Sequence, residues 1–149
     1  KILMGNFRQG YFVPKHPEKY KGNVSNIRYM SSWELKFNHF LDNNANILEW
    51  ASEEIAIPYI KPTDGKLHKY YPDYYIMYKN KDGAIIREVI EIKPKSQVNL
   101  KKRANLYEQL TFAVNKAKWE AAERFCQQYG LKFRIVTEDH LFANGRTKK

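Results

Sequence analysis

A chain of 149 residues with 43% hydrophobic content is enough for one compact domain with a sizeable core. Its 26 Lys and Arg against 16 Asp and Glu leave a formal charge of +10, which favours a polyanionic partner, most simply DNA or RNA, over an acidic protein surface. No apolar run approaches the roughly 20 residues of a membrane span, no secretory h-region is read, and the lone Cys126 excludes an internal disulfide and offers no cysteine pair for zinc or iron–sulfur binding.

Residues 1–28 are polar, basic and broken by Gly and Pro, and predict an extended arm that packs on the domain or meets a partner. Ser31-Ser32-Trp33-Glu34 has the pattern of a capping box, and Trp33, Phe37, Phe40 and Leu41 mark the apolar stripe of a helix that Asn43-Asn44 should end. A short strand is expected over Ile47 to Trp50 and a longer one over Glu53 to Tyr59. Pro62 to Lys69 reads as a polar turn around Asp64-Gly65. Two apolar, β-rich stretches follow, separated by Asn80-Lys81-Asp82-Gly83, and Pro94 closes the second because it cannot donate to a ladder.

Beyond a loop from Lys95 to Leu100, the pattern predicts one helix over about 101–113, with Leu106, Leu110 and Val114 inward, and another over about 115–129. The second carries Trp119, Ala122, Phe125 and Cys126 on its apolar side and ends at Gly130. Asn115 suits a cap between the two, and Cys126 suits the core. Leu131 to Val136 is the last strand, a helical segment after Thr137 or Asp139 is expected, and residues 144–149 form a basic tail. The order implies an α/β domain spanning 1–149, a mixed central sheet with helices on its faces.

The chemistry concentrates in residues 68–95. Asp73 follows Pro72, and Glu91-Ile92-Lys93 begins eighteen residues later, on the far side of the expected hairpin. A turn at Asn80-Gly83 brings Asp73 back towards Glu91, and strand alternation points Glu91 and Lys93 one way and Ile90 and Ile92 the other. Two carboxylates and an ammonium at one sheet edge suit a hard divalent cation beside a phosphodiester. Magnesium prefers carboxylate and water oxygens, so Asp73, Glu91 and the Ile92 backbone carbonyl are the candidate ligands. Glu34 can join them directly or through water, as well as serving its helix cap. Lys93 can orient or deprotonate water, or counter transition-state charge. Taken singly, Asp73 also reads as a turn residue and Glu91 with Lys93 as a surface pair.

Pro72-Asp73, Glu91-Ile92-Lys93 and a helical Glu34 together resemble the PD-(D/E)XK nuclease superfamily, the restriction-endonuclease-like fold shared by restriction enzymes, phage junction resolvases and the endonuclease subunit of Tn7-type transposases. Lys19-Tyr20-Lys21-Gly22, Tyr29-Met30-Ser31-Ser32-Trp33-Glu34, Trp50-Ala51-Ser52-Glu53-Glu54, Ile57-Pro58-Tyr59, Tyr71-Pro72-Asp73 and Glu91-Ile92-Lys93-Pro94-Lys95 are similar, as a set, to the head-completion nucleases of large contractile-tailed phages; Asn115, Lys118-Trp119 and Ala121-Ala122 extend the likeness. The resemblance implies Glu34, Asp73, Glu91 and Lys93 as the catalytic core. It also implies Mg2+, with Mn2+ able to substitute, and cleavage leaving 5′-phosphate and 3′-hydroxyl ends. Implied too are double-stranded or branched DNA as substrate, low sequence specificity, and work on packaged DNA ends in the host cytoplasm or virion beside portal or neck proteins.

Around that core, Ser32, Lys95 and Gln109 are further candidates for the site, while His68 and Lys118 are candidates to face DNA. The competing classes are a non-catalytic DNA-end or portal-binding assembly protein, and a junction, flap or RNA nuclease. A homodimer would suit double-strand cleavage.

Overall fold

A computed structural model describes residues 9–140. They run β1 (Gly10–Tyr11), β2 (Arg28–Tyr29), α1 (Ser32–Asn43), β3 (Ile47–Ser52), β4 (Ile57–Lys61), β5 (Lys66–Tyr70), β6 (Tyr74–Lys79), β7 (Ile85–Ile92), α2 (Leu106–Tyr129) and β8 (Lys132–Val136). The central sheet has the order β3-β6-β7-β8, antiparallel except for the parallel pair β7 and β8. A parallel pair needs a crossover, and α2 supplies it.

The β6–β7 hairpin forms where its sequence predicts. Asn80 Oδ1 accepts from the Asp82 and Ala84 amides, both at 2.9 Å, and Gly83 takes φ 81°, a conformation glycine adopts without a Cβ penalty. The pairing Tyr74↔Ile90 continues the ladder towards Asp73 and Glu91, so both arrive at the same end of the sheet.

Alternation gives each sheet face its own apolar layer. Ile90, Ile92, Tyr74, Ile76 and Val136 pack with α1 and the N-terminal stretch, while Phe133 and Ile135 of β8 pack with the β4–β5 hairpin and α2 around Ile57, Tyr59, Tyr70, Trp119 and Ala122. Trp50 is fully buried in the first layer, its ring edge-on to Tyr20 at 4.8 Å and to Phe12 at 5.9 Å.

Several elements depart from the sequence pattern. The described part of the segment expected as an arm takes the first of its two alternatives and packs on the domain, but with strand pairing of its own: β1 pairs with β2, and Phe12, Tyr20 and Ile27 enter the first layer. Residues 1–8 and the basic tail at 144–149 lie outside the described residues, whereas 138–140 turn helical as expected. The strand expected from Glu53 begins only at Ile57, and the expected polar turn over Pro62 to Lys69 is a tight turn followed by β5, which pairs with β4. The two helices expected over 101–129 are one. Asn105 caps it, its side chain accepting from the Glu108 amide at 2.8 Å while Glu108 accepts from the Asn105 amide at 3.0 Å. Asn115 therefore lies inside the helix rather than at a cap. Leu106 and Leu110, expected to face inward, are 69% and 45% exposed.

Trp50→Ala should cost about 3–5 kcal/mol by emptying the ring cluster, a large share of a typical net stability of roughly 5–15 kcal/mol. Asn105→Ala should cost only about 1 kcal/mol. Urea titration followed by far-UV circular dichroism separates the two.

Candidate active site

The buried face of α1 is polar. Glu34, Asn38 and Asp42, spaced one turn apart, are buried together with Leu41, whereas Phe40 from the expected apolar stripe is 48% exposed. Their side-chain oxygens have fixed partners, as burial requires, whereas the buried Asn38 Nδ2 makes no hydrogen bond among the described residues. Asp42 accepts from the Lys15 and His16 amides at 2.7 and 3.0 Å, and Asn38 accepts from the Tyr74 hydroxyl at 2.6 Å. Ser31 caps the helix by accepting from the Glu34 amide at 3.2 Å. The Glu34 carboxylate accepts from the Met30 amide at 2.8 Å, one residue before the cap. This shift from a standard capping box aims Glu34 inward, where it is 5% exposed.

Asp73, in the link between β5 and β6, is 4% exposed. Its Oδ2 accepts from the Ile92 amide at 2.8 Å, which ties it to the centre of Glu91-Ile92-Lys93. Its backbone carbonyl accepts from the Glu53 amide at 3.1 Å. Carboxylate oxygens of Glu34, Glu53 and Asp73 all lie within 4.8 Å of one another. Glu91 sits beside this group rather than within it: its Oε1 accepts from the Tyr70 hydroxyl at 2.8 Å, and its Oε2 is 3.9 Å from the Lys93 ammonium. Lys93 is held by its own amide, which donates to the Val136 carbonyl at 3.0 Å and continues the β7–β8 pairing.

Two buried phenols bracket the carboxylates. Burial, and then Glu91, push Tyr70 far above its ordinary pKa; burial, and then Glu34, do the same to Tyr74. Both stay protonated and act as hydrogen-bond donors. Lys118 reaches the Glu91 side from α2, its ammonium 5.7 Å from the Tyr70 ring centre and 6.0 Å from that of Tyr59. Burial lowers its pKa while Glu91 opposes the shift and Lys93 adds to it.

The remaining candidates have the following surroundings. His68 pairs with Asp64 at 2.8 Å in the β4–β5 hairpin. Lys95 pairs with Asp139 at 3.1 Å, and Gln109 donates to the Ala104 carbonyl at 2.9 Å from the exposed start of α2. Ser32 opens α1 next to the Ser31 cap. Burial raises the Cys126 thiol to about 11, as suits a core cysteine. The residue that the sequence pattern missed is Glu53, whose signal was the polar triplet Ser52-Glu53-Glu54 interrupting an apolar alternation.

Residues 44–138 match the family described as TnsA-like endonuclease N terminal. The head completion nuclease of Enterobacteria phage T4 is 38% identical over 146 residues, covering 91% of this chain and 95% of that protein. The chain belongs to the TnsA-like endonuclease family. Its mixed sheet flanked by helices is accordingly the restriction-endonuclease-like fold of that family. The matched segment contains Glu53, Asp73, Glu91 and Lys93, while α1 and Glu34 lie before it.

Tyr70 and Tyr74 lend this endonuclease fold an alkaline limit. Both phenols are raised above their ordinary 10.0 in the folded state, so their contribution is complete below that pH. Above it the unfolded chain ionises and the folded one does not, which drains stability by about 1.4 kcal/mol per pH unit for each group. Urea midpoints measured upward from about pH 10 should fall accordingly, and Tyr70→Phe should flatten the slope by one group's share.

Proposed function

We propose that this chain is a divalent-metal-dependent DNA endonuclease of low sequence specificity that acts on packaged DNA ends during phage head completion. The observation that carries the reading is the bond from the Ile92 amide to Asp73, which joins the Pro-Asp and Glu-X-Lys elements into one acidic end of the sheet beside Glu34. The donor set fits a hard cation: carboxylates are its preferred protein ligands, and among the described residues no histidine or cysteine belongs to the cluster. Asp73, Glu91 and the Ile92 carbonyl would hold it, with Glu34 bound directly or through water. When bound, the cation polarises the phosphate and lowers the pKa of water.

The protein's own groups then divide the work. Asp73 keeps its orientation through the Ile92 amide, and Tyr70 fixes the Glu91 carboxylate. Lys93, whose side chain is only 16% exposed, carries a cation next to Glu91 and is placed to orient the attacking water and offset charge on the phosphate oxygens. Hydrolysis joins a water oxygen to phosphorus and breaks the bond to the 3′ oxygen, which leaves with a proton; the products carry 5′-phosphate and 3′-hydroxyl ends. The net charge of +10 draws in the backbone without reading bases, consistent with low specificity. The name of the phage T4 relative supports the head-completion stage; on this proposal the work is done in the host cytoplasm, beside portal or neck proteins.

Asp73→Asn should lower cleavage of linear, circular and branched DNA in Mg2+ or Mn2+ by about 10²–10³-fold or more, the scale of losing a preorganised electrostatic group, while folding and DNA binding persist. Unchanged cleavage by this variant would sink the reading. Loss of cleavage with head completion intact in a phage complementation assay would favour a non-catalytic end-binding role, and a strong preference for branched DNA would favour a junction or flap nuclease.

A further inference from the structure

Glu53 stands out on conformational grounds before its chemistry is considered. Its φ of 55° is the only positive value at a non-glycine residue among those described. A side chain in this left-handed region is uncommon and is held there by surrounding contacts. Those contacts are visible. The Glu53 amide donates to the Asp73 carbonyl at 3.1 Å. On either side of it, the N-terminal stretch grips the chain: the Ser52 amide donates to the Tyr20 oxygen at 3.0 Å, and the Tyr20 hydroxyl lies 2.9 Å from the Glu54 carboxylate, which also accepts from the Asn23 amide at 3.2 Å. Burial raises the Tyr20 phenol above its ordinary value, so its proton stays available to Glu54. Gly22 makes room for this arrangement, since a Cβ there would lie 2.4 Å from the Glu54 carboxyl group.

The clamp turns the backbone of Glu53 so that its carboxylate meets those of Glu34 and Asp73 within 4.8 Å. Glu54, its neighbour, is instead taken up by the N-terminal stretch, through the Tyr20 hydroxyl and the Asn23 amide. Adjacent glutamates therefore have separate tasks, one in the acidic cluster and one in the brace that turns it.

Resting on the nuclease reading above, we infer that Glu53 is an additional carboxylate ligand of the divalent cation, and that Tyr20, Gly22 and Glu54 are positioning residues that hold it in place. Hard-cation affinity follows the number of charged oxygen ligands and their rigidity. The brace supplies the rigidity from a segment remote in sequence from the Asp73 and Glu91 elements.

The test is calorimetric titration of Mn2+ into the full chain, with far-UV circular dichroism as the check on folding. Glu53→Gln should raise the Mn2+ Kd roughly tenfold or more. Glu53→Gly removes the same carboxylate while accepting φ 55° without a Cβ penalty, so it should fold at least as well and lose the same affinity. Tyr20→Phe, which takes away the donor to Glu54 and leaves the cluster's carboxylates intact, should cause a smaller rise. Asp73→Asn is the reference and should abolish binding. Wild-type Mn2+ affinity in both Glu53 variants alongside a loss in Asp73→Asn would overturn the assignment of Glu53 and leave the nuclease reading standing. Wild-type affinity and cleavage in Asp73→Asn would instead overturn the nuclease reading itself.

Discussion

The hydrogen bond from the Ile92 amide to Asp73 is the constraint on which the acidic end of the molecule depends. It takes a backbone donor at the last residue of β7 and satisfies it with a buried carboxylate, a charge-assisted bond stronger than an ordinary amide pair. The same aspartate accepts the Glu53 amide through its carbonyl, so one residue ties the end of β7 to the segment after β3. Around this point the chain gathers acidic groups from α1, from the β3–β4 link and from β7. Glu34, Asp73 and Glu91 are buried, and their burial is supportable because backbone amides and a tyrosine hydroxyl face them, while Glu53 reaches the group from the exposed side.

That arrangement explains why α1 is built against the usual rule for amphipathic helices. Its inward face carries Glu34, Asn38 and Asp42, and only Leu41 contributes a fully buried apolar side chain. Asp42 holds the N-terminal stretch, Asn38 receives Tyr74, and Glu34 enters the cluster. The helix thus gives up apolar burial in its own packing and recovers it from Phe12, Tyr20 and Ile27, which the N-terminal stretch brings to the same layer. Local pattern and tertiary role conflict here, as they do at sites where function overrides foldability.

The β6–β7 hairpin and the meeting of Asp73 with the Glu91-Ile92-Lys93 strand were legible because strand alternation and an Asn-to-Gly turn are local signals. The end of β8 and the Gly130 helix stop were legible for the same reason. The single helix over 106–129 was also written locally, in Asn105 and Glu108, but Asn115, a residue type that suits a cap, suggested a break that the continuous helix does not make. Glu53 was not legible as a site residue. Its left-handed turn depends on Tyr20, Asn23 and Asp73, contacts between segments up to about thirty residues apart that no short-range periodicity encodes. Likewise, which face of α1 turns inward is decided by partners outside the helix.

Cys126 gives the fold a property unrelated to its chemistry. It is the sole thiol in the sequence, is 1% exposed, and has its pKa raised to about 11, so in the folded protein it offers neither access nor thiolate to an alkylating reagent. It lies on the buried side of α2, the helix that crosses between β7 and β8. Its rate of alkylation therefore clocks the opening of the crossover layer across the population, without an introduced label.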